Sequence, residues 1–340
     1  MNNSSVVSRV FVLGAGVSYG AGFPLASELF ARVYEGMSVE DRKQLDNTLR
    51  YLYPIGRNPG GTSRALTKLN IEEFMSLLDM AEQFNEILPT TFLSARAIRN
   101  LRLKLIRSMV DLLVAKQRDA EDDNSKIGYM DHFISGLRTS DALITFNWDL
   151  LIDRRLRKRG IPFDQCPLDK KDANMITFLK LHGSIDWYRG SELESRKRFE
   201  VLHRQLFRAP WSQVASEGWR ETDQAVPVIV PPTFFKDFRG CAEMEHIWAE
   251  AFRRLSTADE VYVCGYRFPP EDLFARFVFR RAIRFNLINR EKRSKTPLKL
   301  VVVNPNVEVA DFVKRNIYGR VRHESARFEA SSLTKWKPTG

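Results

Sequence analysis

The chain has 340 residues, 44% hydrophobic and 28% charged, a composition that supports a sizeable packed core and excludes a globally disordered protein. The formal net charge of +11 favours an acidic partner, such as nucleic acid or a substrate that carries a pyrophosphate. No apolar run approaches the roughly 18 residues that span a bilayer, and Met1 to Val7 lacks the features of a signal peptide, so we expect a cytoplasmic protein without membrane contact.

The three cysteines are Cys166, Cys241 and Cys264. They are odd in number and widely spaced, and they include no Cys-x-x-Cys pair, which argues against a disulfide framework and against a four-cysteine zinc site. The histidines show no metal-ligand spacing either. We therefore expect no zinc and no other metal.

The first predicted element is a buried strand, Arg9 to Leu13, which ends in Gly14-Ala15-Gly16. A short apolar run that leads into a glycine turn is typical of such a strand. A helix is predicted from about Leu25, because Leu29, Phe30 and Val33 recur at helical spacing.

Residues from about 40 to 135 read as helical. Asn70 followed by Glu73 has the form of an N-terminal capping box, and the apolar positions Ile71, Phe74, Met75 and Leu78 then follow a helical period. No second strand occurs where a standard dinucleotide fold has one. We therefore expect a single domain over 1–340 with a helical insertion at about 40–135.

The pattern changes after residue 141, where short apolar runs alternate with helical stretches. This alternation predicts an α/β fold, a Rossmann-like parallel sheet with helices on both faces and a large helical insertion. A small variable segment is expected at about 185–225. The predicted strands are Ala142–Phe146, Met175–Leu181, Val226–Val230, Glu260–Cys264 and Lys299–Val303.

Polar or glycine-containing clusters follow most of these strands. Because ligands of open α/β sheets bind outside the carboxyl ends of the strands, we expect these clusters to face one crevice. They are Gly14-Ala15-Gly16, Asn147-Trp148-Asp149, His182-Gly183-Ser184, Gly265-Tyr266 and Asn304-Pro305-Asn306.

The glycine cluster differs from the ordinary dinucleotide fingerprint. Glycines at such a turn let backbone N–H groups approach a pyrophosphate, but the third glycine of G-x-G-x-x-G is replaced by Tyr19. An acidic residue for the ribose, about 20 residues further on, has no clear candidate. A dehydrogenase is therefore disfavoured, and a glycine turn without a ligand remains an alternative.

Two later clusters carry the catalytic candidates. Asn147 and Asp149 can orient a water and bind an amide, although Asn147 also suits a helix N-cap and Asp149 a first-turn acid. His182 has the chemistry of a general base, and a structural role is its alternative.

Taken together, these motifs resemble the sirtuin-type NAD-binding family. The family's G-A-G-x-S and G-x-P elements match Gly14-Ala15-Gly16-Val17-Ser18 and Gly22-Phe23-Pro24, and its Asn-x-Asp matches Asn147-Trp148-Asp149. The family's histidine matches His182, and the strands that end at Gly265 and Asn304 match its adenosine-binding stretches. The match is patchy but spans almost the whole chain.

The chain departs from the deacylating sirtuins, which carry a four-cysteine zinc module and a Phe-Arg element after the first proline. Here Pro24 leads to Leu25-Ala26. The stretches Phe178–Trp187 and Gly265–Asp272 are closer to the bacterial sirtuin-like proteins of antiphage defence, which degrade NAD. The resemblance thus implies a zinc-independent NAD⁺ hydrolase that cleaves the nicotinamide–ribose bond.

The resemblance also implies roles. Asn147 would orient the water or the ribose, His182 would be the base, and Asp149 would hold the carboxamide of nicotinamide. NAD⁺ is then the substrate and no cofactor is expected. The implied NAD-binding residues are Gly14, Ala15, Gly16, Ser18, Gly22, Pro24, Gly265, Tyr266, Asn304 and Asn306.

Alternative functions remain open at this point. They are protein deacylation or ADP-ribosyl transfer, a module that senses NAD or ADP-ribose without turnover, and nucleic-acid binding. Nucleic-acid binding would use the basic runs at 154–159 and 276–284; we interpret these as solvated helix faces whose aromatic neighbours lie on the core side.

The resemblance further predicts a homo-oligomer that works with a partner such as a HerA-type ATPase, with helical surfaces within 40–135 as contact sites. The chain ends soon after its last predicted strand, so no fused sensing domain is expected.

Overall fold

The computed structural model describes residues 7–53, 66, 69–84, 94–165, 174–189, 226–229, 242–294 and 296–335. Its centre is a seven-stranded parallel sheet in the order β3-β4-β2-β1-β7-β8-β9. The predicted α/β, Rossmann-like fold is thereby confirmed. The strands of this sheet are β1 (Arg9–Leu13), β2 (Ala142–Thr145), β3 (Phe163–Asp164), β4 (Ile176–Lys180), β7 (Glu260–Cys264), β8 (Lys299–Val303) and β9 (Val321–Glu324).

Helices cover both faces of the sheet. They are α1 (Ala15–Tyr19), α2 (Ala26–Gly36), α3 (Val39–Leu52), α4 (Ile71–Phe84), α5 (Ala95–Asp122), α6 (Gly128–Ser135), α7 (Leu151–Lys158), α8 (Ala242–Thr257), α9 (Leu273–Lys292) and α10 (Val307–Asn316). The predicted helix from about Leu25 is α2, and the helices predicted at about 40–135 are α3 to α6. Most of the expected variable segment at 185–225 lies outside the described residues.

The two faces of the sheet have different partners because side chains alternate along each strand. Phe11 and Leu13 of β1 pack with apolar side chains of α2 to α7. Val10 and Val12 pack instead with those of α8 to α10. All five residues of β1 are buried, as expected for a strand that is covered on both sides.

The order of the strands creates a topological switch point at β1. The chain passes from β1 to β2 on one side, and later returns to place β7 on the other side, with Leu13 opposite both Thr145 and Cys264. In open parallel sheets the crevice for a ligand lies at such a point, outside the carboxyl ends of the strands.

One predicted strand does not belong to the parallel sheet. Residues Val226–Ile229 form β6, which pairs antiparallel with β5 (Gly183–Arg189) in a separate two-stranded sheet. The strand predicted at Val226–Val230 is present, but its expected place in the parallel sheet was wrong. Only two residues separate β4 from β5, which is too few for the crossover that a parallel neighbour needs.

The basic runs differ partly from expectation. Arg155 is buried and contacts Asn124 and Asp131. On α9, Phe279 is buried, but Phe277 and Phe285 are about half exposed, so the expectation that the aromatics of this helix all face the core was wrong. Within the described residues, none of the helices has the length and apolar character needed to cross a membrane.

Candidate functional site

A cavity of 410 Å³ opens at the carboxyl ends of the central strands. All five polar clusters predicted from the sequence contribute to its wall, and the helical layer adds Ile71 and Glu72 of α4 and Leu113 of α5. Of the predicted site residues, those that line it are Ala15, Gly16, Ser18, Pro24, Asn147, Asp149, His182, Gly265, Tyr266, Asn304 and Asn306.

The glycines at the tips of β1 and β7 are required by close packing. A Cβ on Gly14 would lie 2.6 Å from the Cα of Tyr266, and a Cβ on Gly16 would lie 2.7 Å from the Cα of Gly265. Gly265 itself has φ +61° and no room for a Cβ, because that atom would lie 2.7 Å from the Cα of Gly16. The two strand tips therefore touch backbone to backbone at the switch point.

This contact also engages the backbone amides of the glycine turn. Gly14 N–H donates to Cys264 O at 3.0 Å, Gly16 N–H donates to Gly265 O at 3.1 Å, and Val17 N–H donates to Gly14 O at 2.9 Å. These three groups are not directed at a ligand, as a pyrophosphate cradle would require. Packing between the strand tips accounts for Gly14 and Gly16 in this structure.

Two predicted NAD-binding glycines do not line the cavity. Gly14 packs against the backbone of Tyr266. Gly22 has φ +89° and open space around the position of its Cβ, so that it serves the turn after α1, where a residue with a side chain would be strained. The turn brings Pro24 and α2 to the cavity.

A hydrogen-bonded triad occupies the wall between β1 and β2. Asn147 Nδ2 donates to Gly14 O at 3.0 Å and to Ser18 Oγ at 3.1 Å. Ser18 Oγ in turn donates to Asp149 Oδ2 at 2.7 Å, while Asp149 Oδ1 accepts from Leu151 N–H at 3.1 Å. Since both amide hydrogens of Asn147 are engaged, its Oδ1 is the atom with which it can act on a water or hydroxyl.

A buried lysine contacts this triad through the backbone of Asp149. Lys180 Nζ donates to Asp149 O at 2.7 Å and lies 3.2 Å from Asp153 Oδ2. Both side chains are almost completely buried. Burial raises the pKa of Asp153 to about 6, although the neighbouring ammonium of Lys180 opposes the shift.

His182 follows β4, the neighbour of β2, and lines the same cavity. Its ring meets the edge of Phe146, with centroids 5.0 Å apart, and its Nε2 is 3.1 Å from Asp272 Oδ2. Its backbone carbonyl accepts a hydrogen bond from Trp148 Nε1 at 2.9 Å. Residues that follow β2 and the N-cap of α9 thus fix the position of this imidazole.

Tyr266 contributes a buried ring. It stacks on Phe146 with centroids 3.9 Å apart, and its hydroxyl donates to Asp272 Oδ2 at 2.8 Å. Burial and the adjacent carboxylate of Asp272 raise the pKa of Tyr266 well above its usual value, so the phenol stays protonated and remains a donor.

The opposite end of the cavity lies beyond β8. Asn304 Oδ1 accepts from Asn306 N–H at 2.9 Å, and Asn306 Oδ1 accepts from Glu308 N–H at 2.9 Å, as the N-cap of α10. Two exposed arginines line the cavity, Arg267 and Arg327. The guanidinium of Arg327 lies 5.3 Å from the centre of the Tyr19 ring.

Sequence reasoning missed Asp272 and Arg327. Asp272 begins α9, where an acid is common as a helix cap, and so it gave no separate indication of a role. Arg327 follows the last strand in a segment without a motif. Among the described residues, no three of His, Cys, Asp and Glu are grouped as a metal site; Cys166 and Cys241 lie outside them.

Neither a family model nor a curated protein matches the chain. The chain is similar to three solved structures at 13% identity. They are a sirtuin from work on substrate affinity (TM-score 0.42, 98% of this chain and 93% of that chain), a Sir2 enzyme from work on mechanism and regulation (0.39, 96% and 90%), and Sir2 with the inhibitor EX-527, 2'-O-acetyl-ADP-ribose and a deacetylated p53 peptide (0.36, 96% and 91%). At these values the likeness carries no inference about activity.

Proposed function

We propose that this protein binds NAD⁺ in the cavity and hydrolyses the bond between nicotinamide and ribose. The observation that carries the proposal is the meeting of Asn147, Asp149 and His182 in one cavity. They come from two strand tips that are distant in the sequence, and the cavity extends from them past Gly16 to Asn304. The order of these motifs along the chain also resembles that of the sirtuin-type NAD-binding family.

The proposed chemistry follows from the leaving group. The C1′–N bond breaks, its electron pair goes to the pyridinium nitrogen, and neutral nicotinamide leaves an oxocarbenium-like ribose. Water then adds to C1′ and loses its proton. His182 takes that proton, or one from a ribose hydroxyl; Asn147 Oδ1 orients the water or the ribose, and Asp149 accepts from the carboxamide N–H of nicotinamide.

Arg267 and Arg327 suit the diphosphate of the same ligand. They are the arginine and lysine side chains among the described residues that line the cavity, and guanidinium groups bind phosphate oxygens well. Because the three N–H groups of the glycine turn already donate to backbone oxygens, side chains would have to bind the diphosphate. NAD⁺ is the substrate in this proposal, and the proposed steps use no metal and no second cofactor.

We extend the proposal to the biology on the resemblance alone. The protein acts in the cytoplasm as a single-domain antiphage effector that depletes NAD⁺, as a homo-oligomer with a partner such as a HerA-type ATPase. Light scattering alone and with such a partner tests the assembly, and a monomer in both measurements contradicts it. Survival of phage-infected cells that carry the wild type or His182→Ala tests the defence role.

The enzymatic proposal is tested by incubating the protein with NAD⁺ and measuring nicotinamide and ADP-ribose. We expect equal amounts of both, with activity lost in Asn147→Ala and His182→Ala and retained in His246→Ala, a histidine on α8 away from the cavity. Activity that survives in both site variants would refute the assigned roles. A requirement for an acylated peptide would indicate a deacylase, label moving from NAD⁺ onto protein a transferase, and tight ADP-ribose binding without turnover a sensing module.

A further inference from the structure

The carboxylate of Asp272 joins two side chains of the site. Its Oδ2 lies 3.1 Å from His182 Nε2 and accepts the Tyr266 hydroxyl at 2.8 Å. Asp272 is 3% exposed and His182 is 7% exposed. A buried carboxylate is stable where it accepts several hydrogen bonds, and both of these partners are donors when the Nε2 of His182 carries its proton.

The backbone between β7 and α9 is bent to deliver this carboxylate. Gly265 has φ +61° and Phe268 has φ +52°, a left-handed conformation that costs on the order of 1 kcal/mol or more for a residue with a side chain. Arg276 Nε holds the strained turn by donating to Phe268 O at 2.9 Å, and its guanidinium lies 4.5 Å from the ring centre of Phe312. Strain that is clamped in this way is typical of functional sites.

Helix capping does not explain the contact with His182. Asp272 caps α9 through its other oxygen, Oδ1, which accepts from Ala275 N–H at 3.4 Å. The oxygen that faces His182 and Tyr266 is not used by the cap. A serine or threonine would serve a cap alone, whereas a second, inward-facing oxygen suits the orientation of an imidazole.

We propose that Asp272 is the positioning residue of His182 in the proposed NAD⁺ hydrolase. It fixes the proton of the neutral imidazole on Nε2, so that the lone pair lies on Nδ1, and it stabilises the imidazolium that forms when Nδ1 takes a proton from water or a ribose hydroxyl. Tyr266 donates to the same oxygen, but the carboxylate is also held by the cap of α9 through Oδ1, so its position does not depend on this one bond. This inference rests on the proposed function, because it names the residue that makes His182 an effective base.

The decisive variant is Asp272→Asn, since asparagine also caps helices. An amide that caps α9 with its oxygen presents Nδ2 to His182 and forces the ring proton onto Nδ1. We expect kcat for NAD⁺ to fall about 10²-fold to 10⁴-fold, the range of a general base, while the Kd for ADP-ribose changes less than about threefold. Tyr266→Phe is the matched control: it removes one hydrogen bond to Asp272 and should lower kcat far less.

The pH profile separates positioning from simple structural support. Among the described residues, the charged side chains that line the same cavity as His182 are Glu72, Asp149, Asp272, Arg267 and Arg327, and Asp272→Asn changes only one of them. Loss of the negative neighbour disfavours the imidazolium, so the acid limb of kcat/KM should move to lower pH by about one unit or more. An unmoved limb, a kcat within about threefold of wild type, or an equal loss in Tyr266→Phe would overturn the proposal.

Nitrogen NMR of the histidine rings tests the same idea without catalysis. The signal of His182, assigned by its absence in His182→Gln, should report the Nε2–H tautomer in the wild type and Nδ1–H in Asp272→Asn. The same tautomer in both proteins contradicts the inference. If the wild type fails to cleave NAD⁺, the proposed function falls, and the tautomer still decides whether Asp272 controls His182.

Discussion

Replacing Gly16 with alanine tests whether close packing of strand tips explains the glycine turn. Gly16 is helical, so alanine would on its own gain up to about 1 kcal/mol. The new Cβ, however, would lie 2.7 Å from Gly265 Cα and 3.1 Å from Gly265 O. Carbon atoms pack at about 3.5–4.0 Å, so the tips of β1 and β7 must separate by on the order of 1 Å. Because the obstacle is backbone, no side-chain rotation relieves it.

Overpacking of this kind costs about 1–3 kcal/mol, and we expect a net loss of about 2 kcal/mol in the free energy of unfolding. Urea denaturation followed by tryptophan fluorescence measures it. Gly36→Ala is the matched control, since Gly36 also lies in a helix and has nothing within 4 Å of its Cβ position; it should be neutral or slightly stabilising. If Gly16→Ala were as stable as Gly36→Ala, the packing argument would be wrong.

Lys180→Met should lower the free energy of unfolding by about 3–5 kcal/mol, because it leaves the buried carboxylate of Asp153 without its cationic partner. The double variant Lys180→Met, Asp153→Leu should recover most of this loss in a denaturation series, and no recovery would contradict a buried pair. The pKa of Asp153 is about 6 in the folded state and near 3.8 in the unfolded chain. Between these two pH values the folded state therefore binds a proton that the unfolded chain has lost. The stability of the wild type relative to Asp153→Asn should therefore be greatest below pH 4 and fall, by at most about 3 kcal/mol, as pH rises through 6; a relative stability that rises over this window in pH-dependent melts would reverse the sign we assign. Arg327→Ala should raise the KM for NAD⁺ about tenfold or more with little change in kcat, as expected for a lost phosphate contact, whereas Arg322→Ala on β9 should change neither; identical kinetics in both variants would remove Arg327 from the binding site.

The central strands could be predicted because each carries a strong local pattern. β1, β2, β4, β7 and β8 are short apolar runs that a sheet covered on both faces requires. The edge strands β3 and β9 escaped prediction since Phe163–Asp164 and Val321–Glu324 are short and largely polar, and such residues become strands only through the neighbour they pair with. The same dependence on a partner explains why β6 was assigned to the wrong sheet.

The candidate site was predictable where chemistry and strand ends coincide. Asn147, Asp149 and His182 follow predicted strands, and the rule that ligands bind at carboxyl ends brought them together. The partner of His182 was not predictable, because Asp272 lies 90 residues further on and looks like an ordinary helix cap. The NAD-binding role of Gly14 stays a prediction, because a glycine that admits a phosphate and one that admits another backbone look alike in a sequence.

The position of β1 has a consequence for how the protein is made. Its first neighbour, β2, lies about 130 residues downstream, and its second, β7, about 250 residues downstream. While the chain emerges from the ribosome, β1 can pair with β2 on one side only, because β7 has not yet been synthesised. Its second edge stays without a partner strand until most of the protein has been made. The contact between Gly16 and Gly265 and the position of the Asp272 carboxylate can form only once β7 and the start of α9 have been synthesised. Chains that are still being synthesised, or that end before β7, thus lack an assembled cavity. Only finished molecules can carry out the function of this site.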